Sequence, residues 1–321
     1  MPQSSPPVLI IRLDGIGDAL ALTPLLAALR AREIVADLVL GTNNAALFTP
    51  AAARHVEIAP FALRSSTPAN LAMIRSFAAR LAPHEYGAIL VPTEDPGGYR
   101  LARAVGAPAR IGFANGWGKP FKTLWARSLL TTTLYRPAGL GSRGRHECQV
   151  LFELGRSIVG DASPTRDPEM LRPLLLDHAF DRDERVAVQV TQRWERFGVA
   201  ARALARFLQS LAGSARIRPI SSAAESGFAD AVEQASGVRV ERYAFLQPWK
   251  ESIAQARVLV APDSGAIHVA GMLGTPAVAL FPPQRRLDLQ IARWHPWAAP
   301  YRIVTIESDW QERARVALDT L

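Results

Sequence analysis

The chain has 321 residues, 49% of them hydrophobic, and this length favours two domains over a single core. Its net charge of +8 is mostly arginine, since Lys119, Lys122 and Lys250 are the only lysines. Such a surface suits phosphate, nucleic acid or an anionic membrane, or reflects compositional bias alone. The lone Cys148 excludes an intramolecular disulfide, and we expect a cytoplasmic protein because no signal peptide or membrane-spanning run is recognisable.

Strand and helix patterns alternate from the beginning of the chain. In the first half they predict strands at 8–13, 36–40, 87–91 and 110–113, and helices at 18–32, 69–82, 98–105 and 147–159. Pro24 should kink the first of these helices or delay its start. Residues 114–145 show little periodicity and are predicted to be a long loop.

The second half repeats this alternation after a segment rich in Asp, Pro and Arg. The patterns predict strands at 185–190, 215–220, 238–241, 257–261 and 276–281, and helices at 199–212, 225–236, 249–256 and 265–273. We therefore predict α/β architecture with two doubly wound parallel sheets that face one another across a cleft. The expected domains are 1–165 and 185–307, joined by a linker at 166–184, with a terminal helix at 308–321 that packs back onto the first domain.

A glycine-containing turn joins the first strand to the first helix, and Asp18 follows Gly15 and Gly17 in it. A dinucleotide-binding turn would need a third glycine where Leu20 stands, and Asp18 would repel a pyrophosphate, so nicotinamide binding is disfavoured. A carboxylate at the carboxyl end of a parallel strand can instead accept a proton from a bound hydroxyl. An ordinary helix cap is the alternative interpretation of Asp18.

A second turn, at residues 262–268, follows the predicted strand 257–261. The backbone amides around Ser264 and Gly265 would begin a helix whose positive end attracts anions, and His268 lies about one turn further on. Together with Asp263, these residues would suit a nucleotide diphosphate. A structural cap with a packed core histidine is the alternative.

Polar residues also follow two other strands of the second half. Thr191, Arg193 and Arg196 could line the same phosphate pocket, although a solvated loop would look the same. Glu225 could hold a ribose hydroxyl or be a simple acid at a helix N-terminus. The scattered histidines show no ligand spacing, and no nucleic-acid motif accompanies the basic charge, so no metal, cofactor or nucleic acid is expected.

Three segments carry a resemblance to a known family. Residues 10–30 closely resemble the opening of the ADP-heptose:lipopolysaccharide heptosyltransferases, glycosyltransferase family 9. Residues 261–270 and 273–281 resemble the family's C-terminal signature, usually Asp-Thr-Gly-x-x-His-x-Ala, with Ser264 in place of the threonine. Arg145, His146 and Glu147 are similar to its His-x-Val-Glu segment. The order of the motifs, their spacing and the chain length also match.

The resemblance implies a GT-B fold and an inverting, metal-independent transfer of a sugar, with ADP-heptose as donor and an anionic lipopolysaccharide core or related glycolipid as acceptor. Because the chain is basic, peripheral contact with the cytoplasmic face of the inner membrane is a further possibility. The resemblance makes Asp18 the general base and assigns the nucleotide diphosphate to Asp263, Ser264, Gly265 and His268. Five residues are expected on the acceptor side: Gly15, Gly17, Arg64, Thr93 and Arg100.

One departure from the family pattern concerns the donor. The family commonly has a lysine after the first strand of the second domain, where this chain has Glu195. Arg193 or Arg196 could replace that lysine, or the donor could differ from ADP-heptose. The same departure would suit a non-catalytic nucleotide- or glycan-binding protein on this scaffold. A nucleotide-sugar epimerase is a further alternative, and it would not depend on an added acceptor.

Overall fold

The computed structural model describes residues 5–137, 144–213 and 215–321. The chain folds as two compact units, Met1–Thr165 and Arg166–Leu321. Each unit contains one six-stranded sheet, and all neighbouring strands in both sheets are parallel. The predicted α/β class with two doubly wound parallel sheets is confirmed.

The first unit has the strand order of a Rossmann sheet, β3-β2-β1-β4-β5-β6, so the order reverses between β1 and β4. Its strands are β1 (Val8–Arg12), β2 (Ala36–Leu40), β3 (His55–Ile58), β4 (Ala88–Val91), β5 (Ala109–Ala114) and β6 (Thr132–Tyr135). Its helices are α1 (Ile16–Leu20), α2 (Thr23–Arg30), α3 (Pro68–Leu81), α4 (Pro96–Val105), α5 (Pro120–Leu129), α6 (Glu147–Phe152) and α7 (Arg156–Val159).

The second unit repeats this topology. Its strands are β7 (Val186–Gln189), β8 (Ile217–Ser222), β9 (Glu241–Tyr243), β10 (Val258–Pro262), β11 (Ala277–Phe281) and β12 (Tyr301–Thr305). Its helices are α8 (Pro168–Leu171), α9 (Arg193–Arg196), α10 (Ala201–Ala212), α11 (Ser226–Ser236), α12 (Leu246–Gln255), α13 (Gly265–Leu273), α14 (Leu287–Trp294) and α15 (Trp310–Asp319). The order β12-β11-β10-β7-β8-β9 reverses between β7 and β10.

The central strands are apolar along nearly their whole length because helices cover both faces of each sheet. Every residue of β1 and of β10 is buried. Ligands of open α/β sheets bind beyond the carboxyl ends of the strands where the strand order reverses. The fold therefore directs attention to the residues after β1 and β4 and to those after β7 and β10, which we call the first and second switch points.

The helix predicted at 18–32 is interrupted, as Pro24 led us to expect. The chain forms α1 and then α2, whose second residue is Pro24. Proline lacks an N–H and is tolerated in the first turn of a helix, so the chain restarts there. The Thr23 hydroxyl donates a 2.6 Å hydrogen bond to the Leu20 carbonyl at this break.

The prediction of a loop at 114–145 is wrong for most of that range. It contains a 3₁₀ turn at Gly116–Gly118, helix α5 and strand β6, although residues 138–143 lie outside the described part of the chain. Helix α5 carries apolar residues on its exposed side as well as its buried side, and this mixture hides the helical period. The sequence analysis also missed β3, α14 and β12.

The segment predicted as a linker, 166–184, is packed into the second unit. Leucines of α8 and the turn after it are buried, among them Leu171 and Leu174. The ammonium group of Lys250, itself fully buried, donates a 2.6 Å hydrogen bond to the Leu175 carbonyl. Burial lowers the pKa of Lys250 to about 8. The polar composition of the segment concealed these few anchoring leucines.

The C-terminal helix α15 is part of the second unit, and its expected packing onto the first domain stays a prediction. Trp310 lies in the core of the second unit, with ring contacts to Trp194 at 5.3 Å and Phe207 at 5.0 Å. Gln311 donates a 2.7 Å hydrogen bond to the Ala203 carbonyl of α10. Within the described residues, no helix is both long and apolar enough to cross a bilayer.

Candidate active site

Arg12 is the last residue of β1 and is almost completely buried, at 2% exposure. Its guanidinium donates to Asp18 Oδ1 at 2.8 Å, to the Asp18 carbonyl at 3.2 Å and to the Pro92 carbonyl after β4. It also lies 3.2 Å from Asp14 Oδ2. Arg12 thus joins the ends of β1 and β4 at the first switch point. Arg12 was not predicted as a site residue, although a charge at the end of an otherwise apolar buried strand was a usable signal.

Asp18 is the third residue of α1 and does not cap that helix, so the structural alternative for this residue is wrong. The N-cap of α1 is Gly15, and no side chain caps the helix. The Asp18 side chain is 36% exposed, and only its Oδ1 is bound by Arg12. Its Oδ2 accepts no hydrogen bond from any residue the structure describes. A Cβ at Gly15 would lie 3.5 Å from that oxygen, which is ordinary van der Waals contact.

Asp14 is a second carboxylate in the same turn, and the sequence analysis did not select it. Burial raises its pKa, and the nearby charges of Asp18 and Asp95 act in the same direction, whereas Arg12 opposes them. The first switch point therefore holds one carboxylate bound to arginine and partly exposed, and another whose surroundings favour its protonated form.

Glu147 lies behind Arg12 and is fully buried. It is 3.8 Å from Arg12 and 2.9 Å from Arg136, which in turn lies 3.4 Å from Glu94. Lys122 of α5 closes this row of alternating charges 2.7 Å from Glu94. The segment 145–147, which resembles a family motif, therefore contains a buried carboxylate that lies close to Arg12.

The residues expected on the acceptor side lie around the loop after β4 and at the N-terminus of α1. Arg64 is 86% exposed and lies 3.1 Å from Asp95, and Arg100 donates 2.9 Å to the Ser65 carbonyl. Gly17 is part of α1. Thr93 is fully buried and its hydroxyl accepts the Asp95 N–H at 3.2 Å, so it cannot present that hydroxyl to an acceptor, contrary to expectation.

The second switch point contains the turn that precedes α13. Ser264 is the N-cap residue of α13 but makes no capping hydrogen bond, and its Oγ is buried without a partner in the described part of the chain. The first amides of a helix have no intrahelical acceptor, so Gly265 and Ala266 direct free N–H groups into the same region. Asp263 accepts a 3.1 Å hydrogen bond from Gln290, and burial raises its pKa.

His268 and Arg193 add a neutral and a charged group to this turn. Burial lowers the pKa of His268 to about 3, with the positive charges of Arg193 and His295 contributing. The imidazole, in edge contact with Trp294 at 5.3 Å, is therefore neutral at pH 7. The positive charge of Arg193 also opposes the rise in the pKa of Asp263. Arg193 makes no ion pair within the described ranges. Arg196 is exposed and does not contribute to the pKa shift of Asp263 or of His268.

Thr191 and Glu225, singled out separately in the sequence, lie together after β7 and β8. The Thr191 hydroxyl donates to Glu225 Oε1 at 2.9 Å, and the Gln192 N–H donates to the same oxygen at 3.2 Å. The structure therefore groups Arg193 with Asp263 and His268, and Thr191 with Glu225.

A comparison with protein families matches part of the second unit. The model described as glycosyltransferase family 9 (heptosyltransferase) matches residues 244–320, which include the turn at Asp263–His268. The predicted resemblance to glycosyltransferase family 9 is confirmed. With this family 9 match, the prediction that the chain is a glycosyltransferase is confirmed too. No curated protein matches the chain.

Solved structures of family 9 proteins share the fold over nearly the whole chain. A family 9 glycosyltransferase from Veillonella parvula DSM 2008 has a TM-score of 0.72 at 15% identity, with 99% of this chain and 97% of that chain covered. E. coli ADP-heptose lps heptosyltransferase II (0.71) and E. coli heptosyltransferase WaaC with ADP (0.72) match at 15% identity over 98% of both chains. The prediction of a GT-B fold built from two Rossmann-like domains is confirmed.

Proposed function

We propose that this chain transfers heptose from ADP-heptose to a lipopolysaccharide core or a related anionic glycan, with inversion at the anomeric carbon and without a metal ion. The observation that carries the proposal is the state of Asp18. One carboxylate oxygen is fixed by the buried Arg12, and the other is free at the first switch point. A partly exposed, oriented carboxylate of this kind can take a proton from a bound hydroxyl.

The donor would bind at the second switch point. The diphosphate would accept hydrogen bonds from the amides that begin α13 and from the Ser264 hydroxyl, which lacks a partner in the described residues. Arg193 would supply the positive charge that the family commonly obtains from lysine. Neutral His268 would donate a hydrogen bond rather than a charge. The solved E. coli structure with ADP supports an adenine nucleotide as the donor's leaving group.

Glu225 would bind the ribose of the nucleotide. Its Oε1 is already held by Thr191 and the Gln192 amide, which fixes the carboxylate at the end of β8. A carboxylate fixed in this way can accept a hydrogen bond from a ribose hydroxyl. Arg196 is exposed, and we assign it no contact with the diphosphate because Arg193 would supply that charge.

The proposed chemistry is a single displacement. Asp18 removes the proton from the acceptor hydroxyl as that oxygen forms a bond to the anomeric carbon of heptose. The bond from this carbon to the diphosphate breaks, and ADP leaves with the bonding electrons. Arg193 and the helix amides stabilise the charge that develops on the diphosphate. One displacement inverts the anomeric centre.

The acceptor would bind near Arg64 and Arg100, whose positive charges suit an anionic glycan or glycolipid. Arg64 is almost fully exposed and borders the loop after β4, which carries Asp95. We place the reaction in the cytoplasm at the inner face of the inner membrane, where a glycolipid acceptor would be presented.

The test is to mix the protein with ADP-heptose in the presence and absence of a lipopolysaccharide core acceptor. We expect ADP release that depends on the acceptor, and a product whose anomeric configuration, measured by NMR, is inverted. Release of ADP without any need for an acceptor, or retention of configuration, would contradict the proposal.

Two observations favour other functions, and the same assay distinguishes them from sugar transfer. Glu195 in place of the family lysine favours a protein that binds a nucleotide or glycan without turnover; this would give ADP binding by calorimetry but no ADP release. A putative UDP-N-acetylglucosamine 2-epimerase from Listeria monocytogenes shares the fold with a TM-score of 0.58 at 12% identity, over 98% of this chain and 88% of that chain. An epimerase would change the sugar of the donor without any acceptor.

A further inference from the structure

The first unit exposes a group of large apolar side chains that we call the aromatic face. Trp117 is 95% exposed, Phe121 87%, Leu124 66% and Tyr135 64%. Phe121 and Leu124 are three residues apart in α5 and therefore lie on the same side of that helix. Large apolar side chains exposed singly are common, but a group of them marks an interaction surface.

The aromatic face is held together by contacts around Gly116. The Thr123 hydroxyl in α5 donates a 3.1 Å hydrogen bond to the Gly116 carbonyl, which ties the turn containing Trp117 to the helix. The Tyr135 ring packs so closely on Gly116 that a Cβ there would lie 2.8 Å from it. Trp117 and Tyr135 are therefore neighbours of the N-terminal end of α5 and not isolated side chains.

The opposite side of α5 already supplies the contacts that the core requires. Ala126 and Leu130 are buried in the hydrophobic core of the first unit, and Trp125 and Leu129 pack against the same core. The apolar residues of the aromatic face are thus not needed to hold the helix in place. Nothing in the described residues covers them.

The charge around the aromatic face identifies the kind of partner. Helix α5 and the turn before it, residues 116–129, contain three basic residues, Lys119, Lys122 and Arg127, and no aspartate or glutamate. Lys119 and Arg127 lie on or next to α5, are exposed, and form no ion pair within the described parts of the chain. Such a surface repels other basic surfaces and attracts anionic ones.

We propose that the aromatic face docks on an anionic lipid bilayer. The rings of Trp117 and Phe121 would enter the boundary between headgroups and acyl chains, while Lys119 and Arg127 would contact the headgroups. This combination of aromatic and basic side chains is typical of interfacial membrane-binding helices. The proposal extends the glycolipid acceptor proposed above. Helix α5 also provides Lys122, which pairs with Glu94 of the charge row behind Arg12.

The experiment is vesicle flotation with the full-length protein. Vesicles of phosphatidylcholine alone are compared with vesicles that contain phosphatidylglycerol. We expect binding to the anionic vesicles that weakens as salt is raised, because headgroup attraction is screened. The double variant W117S/F121S should bind at least about tenfold more weakly, since it loses two inserted rings. The charge variant K119E/R127E should also bind more weakly.

The matched control is Phe245→Ser. Phe245 is 76% exposed but lies in the second unit, so this variant removes an exposed ring without touching the aromatic face. It should bind vesicles like the unchanged protein. Thermal melts of all variants verify folding, and the substituted side chains are exposed enough for little change in melting temperature.

Three results would overturn the proposal. The unchanged protein could fail to bind anionic vesicles. Alternatively, W117S/F121S could bind these vesicles as tightly as the unchanged protein. The unchanged protein could also be a dimer without lipid that W117S/F121S converts to a monomer, which would make the face a contact between copies of the chain. Flotation measures no sugar transfer, so its outcome is separable from that of the acceptor-dependent ADP release assay.

Discussion

The two switch points differ in how their charged groups are paired. A buried polar atom without a hydrogen-bond partner occurs at both, since Asn44, which donates to the Asp14 carbonyl, leaves its Oδ1 without one in the described residues. At the first, Arg12 lies between Asp14 and Asp18, with Glu147 behind it. At the second, the Ser264 hydroxyl is buried without a partner in the described residues, and Arg193 makes no ion pair there. A buried polar group that lacks a partner is unfavourable by about 1–3 kcal/mol.

This difference separates two kinds of preparation for a reaction. The first switch point fixes the direction of a carboxylate before any substrate is bound, because Arg12 holds one oxygen of Asp18. The second keeps donors unused, so an anionic ligand would supply partners that the protein lacks. A base is expected to be oriented in advance, and a diphosphate site is expected to be completed by its ligand.

The largest expected effect separates Asp18 from Asp14. Asp18→Asn should lower kcat by about 10²–10⁴-fold, since the amide cannot take the acceptor proton, while ADP affinity measured by calorimetry stays nearly unchanged. Asp14→Asn should lower kcat by no more than about tenfold, because burial raises the pKa of Asp14 and favours the protonated form, which cannot act as a base. The opposite order of the two variants would assign the base to Asp14.

The next effect tests whether the charges at the first switch point depend on one another. Arg12→Met should lower the free energy of unfolding by about 3–5 kcal/mol, measured by urea denaturation, because the buried Glu147 and the two aspartates lose a shared cation. The control is Arg64→Met, which removes an exposed partner of Asp95 and should change stability by less than about 1 kcal/mol. Equal effects would mean that burial of Arg12 is unimportant.

The same contrast explains what could be predicted from sequence. Helix α13 was predicted with the bounds that the structure shows, because its signals are local: Ser264 and Gly265 at its start, and Gly274 in a left-handed conformation, φ 73°, just after its end. The turn that we propose as the diphosphate site is therefore recognisable in a single stretch of sequence. The buried strands β1 and β10 are recognisable for a similar reason, since both are continuous apolar runs.

The arrangement around Arg12 could not be predicted because it joins distant parts of the chain. Asp18, Pro92 and Glu147 reach the same guanidinium from α1, the loop after β4 and α6. No local pattern records which charges will be neighbours in space. The role expected for Thr93 was wrong for the same reason, since its burial depends on how the loop after β4 folds.

A smaller effect concerns which arginine replaces the family lysine. Arg193→Ala should weaken ADP binding by about 10–100-fold, as expected for the loss of a charge-assisted contact to phosphate. Arg196→Ala should change it by no more than about twofold, because Arg196 is exposed and exerts no such effect on Asp263 or His268. Calorimetry at two salt concentrations distinguishes a direct contact from general attraction, which salt screens. Equal losses in the two variants would contradict the assignment of Arg193.

The smallest effect concerns the neutral histidine at the second switch point. The pKa of His268 is about 3 in the folded protein and about 6.5 when unfolded, so between these values only the unfolded chain binds the proton. The stability that His268 contributes is therefore complete above pH 6.5 and declines as the pH falls towards 3. By pH 5 the decline should be about 2 kcal/mol.

His268→Gln removes this titration, so the difference in unfolding free energy between the unchanged protein and the variant should shrink as the pH is lowered from 7.5 to 5. Saturating ADP should reduce this pH dependence, because the negative diphosphate makes protonation of a nearby imidazole less unfavourable. If both proteins lose stability in parallel as the pH falls, His268 is not the titrating group. If ADP leaves the pH dependence unchanged, the diphosphate does not bind beside it, and the second switch point is not completed by an anion.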